Sequence, residues 1–452
     1  MKRKNLTQGP VAAHIIKLAL PMMVGVFSIM VFNLIDTYFI GRLGTDALAA
    51  ISFTFPVVML VGSISFGMTM AMTSMISRLM GEQRSQKIKQ TVSDCLCFAL
   101  VIVLFISLFG QLSLDWVFQS LGAKDHLMPL IKDYMQIWYY SIIFLLIPMM
   151  GNGAIRGLGD TLFPAIVMLV AAGVNAIFDP ILIFGYFGFP AFGIKGAAYA
   201  TVISRVFTLI AGLLVLHYRE KLLVRPFKNI QESLQHIRDL IRLGIPAALN
   251  NMIGPISIAI ITKMIAQYGP EAIAGFGVAS KVESFVTIPL MGIAAGLGPY
   301  AGQNFGAHLN DRLKQGIAFA NKSSTVILLI MGLICVIFAQ NVSQLFSNNP
   351  EVIRSATIYM QSVALSYVFL SFLANTNSSL ISMGKPKLAL WITILRTLIL
   401  YIPLAFVLSY FFKLSGIYYA AGLANIFAGL AALYYIRKTL MACFKPSILN
   451  NP

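Results

Sequence analysis

Acidic residues are scarce: 16 Asp and Glu in 452 positions, against 33 Lys and Arg. Charged residues of both signs make up only 11% of the chain, and 58% is hydrophobic. That excludes an ordinary soluble domain and indicates a polytopic membrane protein. Cysteine is equally sparse. Cys95, Cys97, Cys335 and Cys443 form no CxxC and have no His at metal-ligand spacing, so they read as small buried hydrophobes. No GxxxxGK[ST] phosphate loop occurs, which excludes direct drive by ATP. No Ser-His-Asp grouping falls in an extramembrane stretch, so the chain does not read as an enzyme. The five histidines fall at helix ends or in loops, which assigns none of them to a proton relay. A net charge of +17 would suit nucleic acid, but the basic residues cluster in short loops between apolar runs. Such clustering is the positive-inside pattern and argues against nucleic-acid binding.

What is present is a series of long apolar runs. Twelve helices are predicted, at about 14–40, 48–77, 91–113, 129–152, 162–185 and 194–218, then 238–267, 272–302, 318–345, 352–382, 386–412 and 416–440. Each is long enough for a hydrocarbon core that needs about 20 helical residues. Segments 1–13, 78–90, 152–161, 217–242, 303–322, 383–387 and 437–452 fall on one side and hold 22 of the 33 Lys and Arg. The opposite loops hold Arg42, Lys124, Lys132, Lys195, Arg354 and Lys413. Both termini are therefore expected on the cytoplasmic side of the membrane. Lys2, Arg3 and Lys4 precede an apolar run too long for a cleaved leader, which reads as a retained first span.

The chain repeats itself. Residues 46–91 align without a gap on 271–316, an offset of 225 that pairs Gly67 with Gly292 and Gly81 with Gly306. Gly159 pairs with Gly384 at the same offset, and GIKGAAYA (193–200) aligns on GIYYAAGL (416–423) at 223. With six spans per copy, both copies start on the same side. The expected fold is an all-α polytopic membrane protein, two six-helix bundles related by a pseudo-two-fold axis along the membrane normal. The lobes are expected at 1–218 and 238–452. They are joined by a linker, 219–237, in a polar stretch expected to contain an interfacial amphipathic helix.

Two acids interrupt the first copy's apolar runs: Asp36 in VFNLIDTYFIGR and Asp179 in GVNAIFDPILIFG. A carboxylate in hydrocarbon is costly and by default marks an ion or substrate path. Asn175 and Asp179 share a helix face at i, i+4, and Asn33 and Asp36 do so at i, i+3. Pro180 removes a backbone donor beside Asp179 and leaves a carbonyl free. Such an oxygen cluster suits Na⁺ or a proton; the competing reading is a hydrogen-bond network that only pins helices. The second copy carries Lys281 and Glu283 in span eight and Arg396 in span eleven. A Glu283–Arg396 pair locking that lobe is the preferred reading, and a contact to substrate the alternative. Lys263, near a helix end, is expected to snorkel. Met22, Met23, Met68, Met70 and Met72 suit an adaptable apolar wall or simple packing.

LALPMMV (18–24), FNLIDTYFIGRLGTDALAA (32–50), GNGAIRGLGDT (151–161), VNAIFDPILIFG (174–185), GIKGAAYATVISR (193–205) and KVESFVTIPLMGIAAGLGPYAGQNFGA (281–307) together resemble the multidrug and toxic compound extrusion (MATE) transporters. The likeness covers essentially the whole chain and is nearer the DinF-type than the NorM-type branch. Span seven lacks the NorM-type acid, and span ten shows Asn375, Thr376 and Asn377. The resemblance implies export of cationic or amphipathic drugs in exchange for H⁺ or Na⁺, by alternating access and without another cofactor; H⁺ is favoured because the only clear acids form one small group in the first copy. It carries a coupling role onto Asp36, Asn175, Asp179 and Thr201, the set to which Na⁺ would bind. It also carries a conformational role onto Pro21, and a cleft tyrosine onto either Tyr139 or Tyr140. Asn33 and Pro180 join the cleft and the conformational set. The partners implied are the bilayer and small cationic or amphipathic molecules, with the chain acting as a monomer. A flippase for a lipid-linked saccharide is the alternative. It would call for several Arg and Lys in the cleft, and only Lys281, Arg396 and Arg205 are candidates.

Overall fold

The computed structural model describes residues 5–443; Lys2, Arg3, Lys4 and the last part of segment 437–452 lie outside it. Its helices are α1 (Val11–Gly41), α2 (Thr45–Gly81), α3 (Ser85–Ser120), α4 (Met128–Tyr140), α5 (Ile143–Gly157), α6 (Leu162–Phe184) and α7 (Ile194–Leu214). There follow α8 (Ile230–Ile265), α9 (Pro270–Val286), α10 (Ile288–Gly306), α11 (Asn310–Ile337), α12 (Ala339–Gln344), α13 (Pro350–Val363), α14 (Tyr367–Ser382), α15 (Pro386–Ile394) and α16 (Ile402–Cys443). The predicted spans are all present, but several are broken. The fourth bends by 44° between α4 and α5, and the eighth by 44° between α9 and α10. At the first break the Ser141 hydroxyl donates to Trp138 O (2.7 Å). At the second, Thr287 Oγ1 donates to Glu283 O (2.9 Å), and Pro289 follows in the first turn of α10, where its missing N–H costs nothing. Between α13 and α14, Ser366 Oγ likewise donates to Val363 O, 2.6 Å away.

From Pro386 to Cys443 the chain stays helical for 58 residues. At 1.5 Å per residue that is roughly 87 Å, several times the hydrocarbon thickness. Lys413, at φ 53° and ψ −133°, breaks it into the eleventh and twelfth spans. Its counterpart is Gly193, at φ 57° and ψ −130°, which starts α7. A Cβ on Gly196 would strike Leu182 O, and one on Gly416 would strike Leu408 O. The last pair of spans is therefore offset by 220, not 223: Gly196 answers Gly416, and the loop before α7 is the longer one.

Contacts divide the chain into two compact units. Unit one runs from Val24 to Ala248, and unit two comprises Asn5–Met23 with everything from Leu249 on. The division therefore falls inside α1 and α8, away from the lobe boundaries read at 218 and 238. The close packing of two glycines accounts for it. Gly67 of α2 leaves no room for a Cβ against Gly244 O and Ala248 N of α8 (2.5 Å each), in unit one. Gly292 of α10 is packed in the same way against Ala19 and Met23 of α1, in unit two. All of these positions correspond at the 225 offset, so each unit is completed by the first half-helix of the other copy. Gly67→Ala is expected to cost about 1–3 kcal/mol of stability through overpacking. Gly62→Ala, whose Cβ would meet nothing within 4 Å, serves as the control. Thermal unfolding in detergent reads the difference.

The connection 219–237 also differs from expectation. No separate amphipathic helix forms, and α8 runs unbroken from Ile230 into the seventh span. The preceding irregular segment is stitched to α3. Ser93 Oγ accepts from Val224 N (2.9 Å), and Asp94 Oδ1 accepts from Phe227 N (2.8 Å). Asp94 Oδ2 lies 2.8 Å from His236 Nδ1, both side chains being almost fully buried. A polar segment held this way satisfies its backbone without needing a helix of its own. Outward-facing α3 residues Leu104, Phe105, Leu108, Phe109 and Leu112 are 60–79% exposed at helical spacing, the stripe expected of a lipid-facing surface.

Candidate functional site

In unit one, α1 and α6 pack through Gly25, whose Cβ position lies 2.9 Å from Met168 Sδ, and through the edge-on rings of Phe39 and Phe184 (6.2 Å). α7 is fastened to α6 by Ser204 Oγ donating to Ala171 O (2.8 Å). This frame puts the sequence-predicted polar residues in one neighbourhood. Asn175 and Asp179 are both fully buried, and Asn175 Nδ2 donates to Asp179 Oδ1 (3.1 Å). Asp36 on α1 is close enough for its charge to act on Asp179. Three oxygens have no hydrogen-bond partner although each is buried: Asp36 Oδ1, Asn175 Oδ1 and Asp179 Oδ2. Buried acceptors are rarely left orphaned, since each costs about 1–3 kcal/mol. A set of hard oxygen ligands of this kind fits either a small monovalent cation or a proton.

The same neighbourhood holds a cation and a phenol. Arg205 of α7 donates from Nη1 to Ser141 Oγ (3.1 Å) and lies over the Trp138 ring, 5.5 Å from its centroid. It is within electrostatic reach of Asp36 without being ion-paired to it. Tyr134 of α4 lies within reach of Asp36, Arg205 and Asp179. Neither of the two tyrosines left open by the sequence takes this place. Tyr139 packs its ring against Gly110 of α3, and Tyr140 is 70% exposed. Thr201 is buried on α7 but forms no hydrogen bond to either carboxylate. Asn33 is exposed on α1. Pro21 and Pro180 lie inside α1 and α6, neither of which breaks; Pro180 leaves the Ala176 carbonyl without its helical donor. Pro21 belongs to unit two, with the first half of α1.

In unit two the charges that opposite signs invited us to pair have neutral partners. Tyr359 OH of α13 donates to Glu283 Oε2 (2.5 Å). Arg396 donates from Nε to Asn425 Oδ1 (2.8 Å), and Asn425 Nδ2 donates onward to Ser366 Oγ (2.8 Å). Among the described residues no ion pair joins Glu283 to Arg396; the guanidinium acts on the carboxylate only through space. The π-helical turn Leu395–Tyr401 carries Arg396, and Asn425 of α16 takes up its Nε–H. Lys281 and Lys263 are exposed. Where a span-ten acid was absent, Asn375 is fully buried and donates to Asn321 Oδ1 (3.0 Å) and Ser324 Oγ (3.2 Å).

Comparison with known proteins places this geometry. The chain is 33% identical over 436 residues to a FAD transporter of Shewanella oneidensis, covering 96% of each. It is 28% identical to the probable multidrug resistance protein YoeA of Bacillus subtilis, covering 84% of this chain and 83% of that one. The Vibrio cholerae MATE transporter VcmN in the bent form superposes with a TM-score of 0.90 at 28% identity, covering 96% of this chain and 99% of that one. The MatE family model matches twice, at residues 21–181 and 246–407, once in each copy of the repeat. The chain belongs to the MatE family: an integral membrane transporter of twelve helices in two six-helix bundles, and not an enzyme.

Proposed function

We propose that the chain is a cation-coupled antiporter of a prokaryotic plasma membrane. It exports organic cations or amphipathic molecules by alternating access as a monomer, with both termini cytoplasmic. The coupling ion, H⁺ in preference to Na⁺, exchanges at the Asp36–Asn175–Asp179 set in unit one. The observation that carries this reading is the trio of buried, unpartnered oxygens in a chain with few other intramembrane acids. Asp179→Asn and Asn175→Ala are the test. Each is expected to abolish or sharply reduce the rise in unfolding temperature that the coupling ion gives the unsubstituted protein, because an ion stabilises the state it binds. Titrations with Na⁺ at fixed pH and with pH at fixed Na⁺ identify the ion. Lost stability with an unchanged ion response and normal transport would make the set a structural pin.

One observation favours a second reading of the cargo. The Shewanella relative is named a FAD transporter, and Arg205 and Arg396, one in each unit, have no ion-pair partner among the described residues. A flat aromatic ring carrying a pyrophosphate suits stacking and a guanidinium that has no carboxylate partner better than a cation does. Competition between FAD and a cationic dye in proteoliposomes separates the two cargoes.

A further inference from the structure

The two units contain the same kinds of groups, supplied from different places. Tyr134 and Tyr359 correspond at the 225 offset, as do Ser141 and Ser366, the hydroxyls at the two helix breaks. At the 220 offset Arg205 answers Asn425, and each donates to its unit's serine. The acids do not correspond. Asp36 answers Ile261, and Glu283 answers Val58. A carboxylate has therefore come to the tyrosine twice, from α1 in one unit and from α9 in the other.

Glu283 is also poorly explained as a structural pin. It accepts one hydrogen bond, from Tyr359, and has no cation in contact. Tyr367, at the start of α14, is fully buried, its hydroxyl has no hydrogen-bond partner, and the foremost charge acting on it is Glu283. An ionised carboxylate has acceptor capacity for both phenols, whereas a protonated one donates a hydrogen bond itself. One satisfied and one idle hydroxyl suit a group that alternates between those forms. The other groups facing Glu283 are Cys335 of α11 and Tyr401 and Arg396 of the eleventh span, with Lys281 exposed on its own helix. A metal ion fits poorly where so few free oxygens converge and a guanidinium acts on the site through space.

We propose that Glu283, with Tyr359 and Tyr367, is a second proton-binding site, in unit two, separate from the Asp36–Asp179 set. It stands whether or not Asp36 couples transport. The test is pH-difference infrared spectroscopy of the full chain in lipid nanodiscs, read at the carboxylic-acid C=O stretch. Glu283→Gln is expected to remove one band and to lower proton uptake by one per chain. Asp36→Asn with Asp179→Asn is expected to leave that band in place. Tyr359→Phe, which keeps the acid, is expected to move the band without removing it, and it decides the matter should Glu283→Gln fail to fold. A Glu283→Gln spectrum superimposable on that of the unsubstituted protein overturns the proposal, as does a band unmoved in Tyr359→Phe. Lost transport in Asp36→Asn with the Glu283 band intact tests the unit-one reading separately.

Discussion

Asp36→Asn is expected to reduce gradient-driven accumulation of a cationic dye in proteoliposomes to background, while the purified variant unfolds at or above the temperature of the unsubstituted protein. The two halves of that result are linked. Asn keeps the volume of Asp and removes the titratable charge on which ion exchange depends. Asp36 Oδ1 makes no hydrogen bond that the substitution could break. Arg205 acts on Asp36 only through space and keeps its own contacts to Ser141 and Trp138 when Asp36 is neutralised, so no loss of fold is expected. A helix-pinning role predicts the reverse: lower stability, with transport intact in the protein that survives. An Asn variant that still concentrates dye at the original rate removes Asp36 from the coupling site.

Much of the architecture was legible because it is written in the period and length of apolar runs. Span number and the duplication could be read from the chain, whereas the tight packing at Gly67 and Gly292 is visible only in the structure. The division of the chain was not legible. Nothing in the sequence tells whether Gly67 packs on its own copy's first helix or on the other's, because Ala19 and Met23 occupy the same register as Gly244 and Ala248. Asp36 and Asp179 stood out as acids in hydrocarbon. Tyr134 did not, because three tyrosines share α4, and which of them meets the carboxylates depends on helix rotation set by packing. The Asp94–His236 contact joins positions 142 apart, beyond the reach of local spacing. Glu283 and Arg396 misled for a plain reason: opposite charges in one lobe invite pairing, but a phenol and an amide, supplied by helices far away in sequence, take up their hydrogen bonds instead.

Arg205→Leu is expected to give the second large effect, through the charge balance of unit one. Arg205 is the cation within reach of Asp36 and Tyr134, and its guanidinium also ties α7 to the break at Ser141 and covers the Trp138 ring. Removing it leaves Asp36 with no compensating charge and the Ser141 hydroxyl with one partner fewer. Lower unfolding temperature and poor yield should follow, with transport lost. Asp36→Asn combined with Arg205→Leu removes both charges, so the pair should be less destabilised than the sum of the single changes by about 0.5–3 kcal/mol. Arg205→Lys separates charge from shape. It restores the positive charge but not the planar fork that bonds Ser141 and stacks on Trp138, so a partial rescue is expected. Strict additivity in the double-variant cycle would mean that Arg205 acts only by packing and hydrogen bonding. Full rescue by Lys would mean the reverse, that charge alone holds the α4–α7 corner beside Asp36.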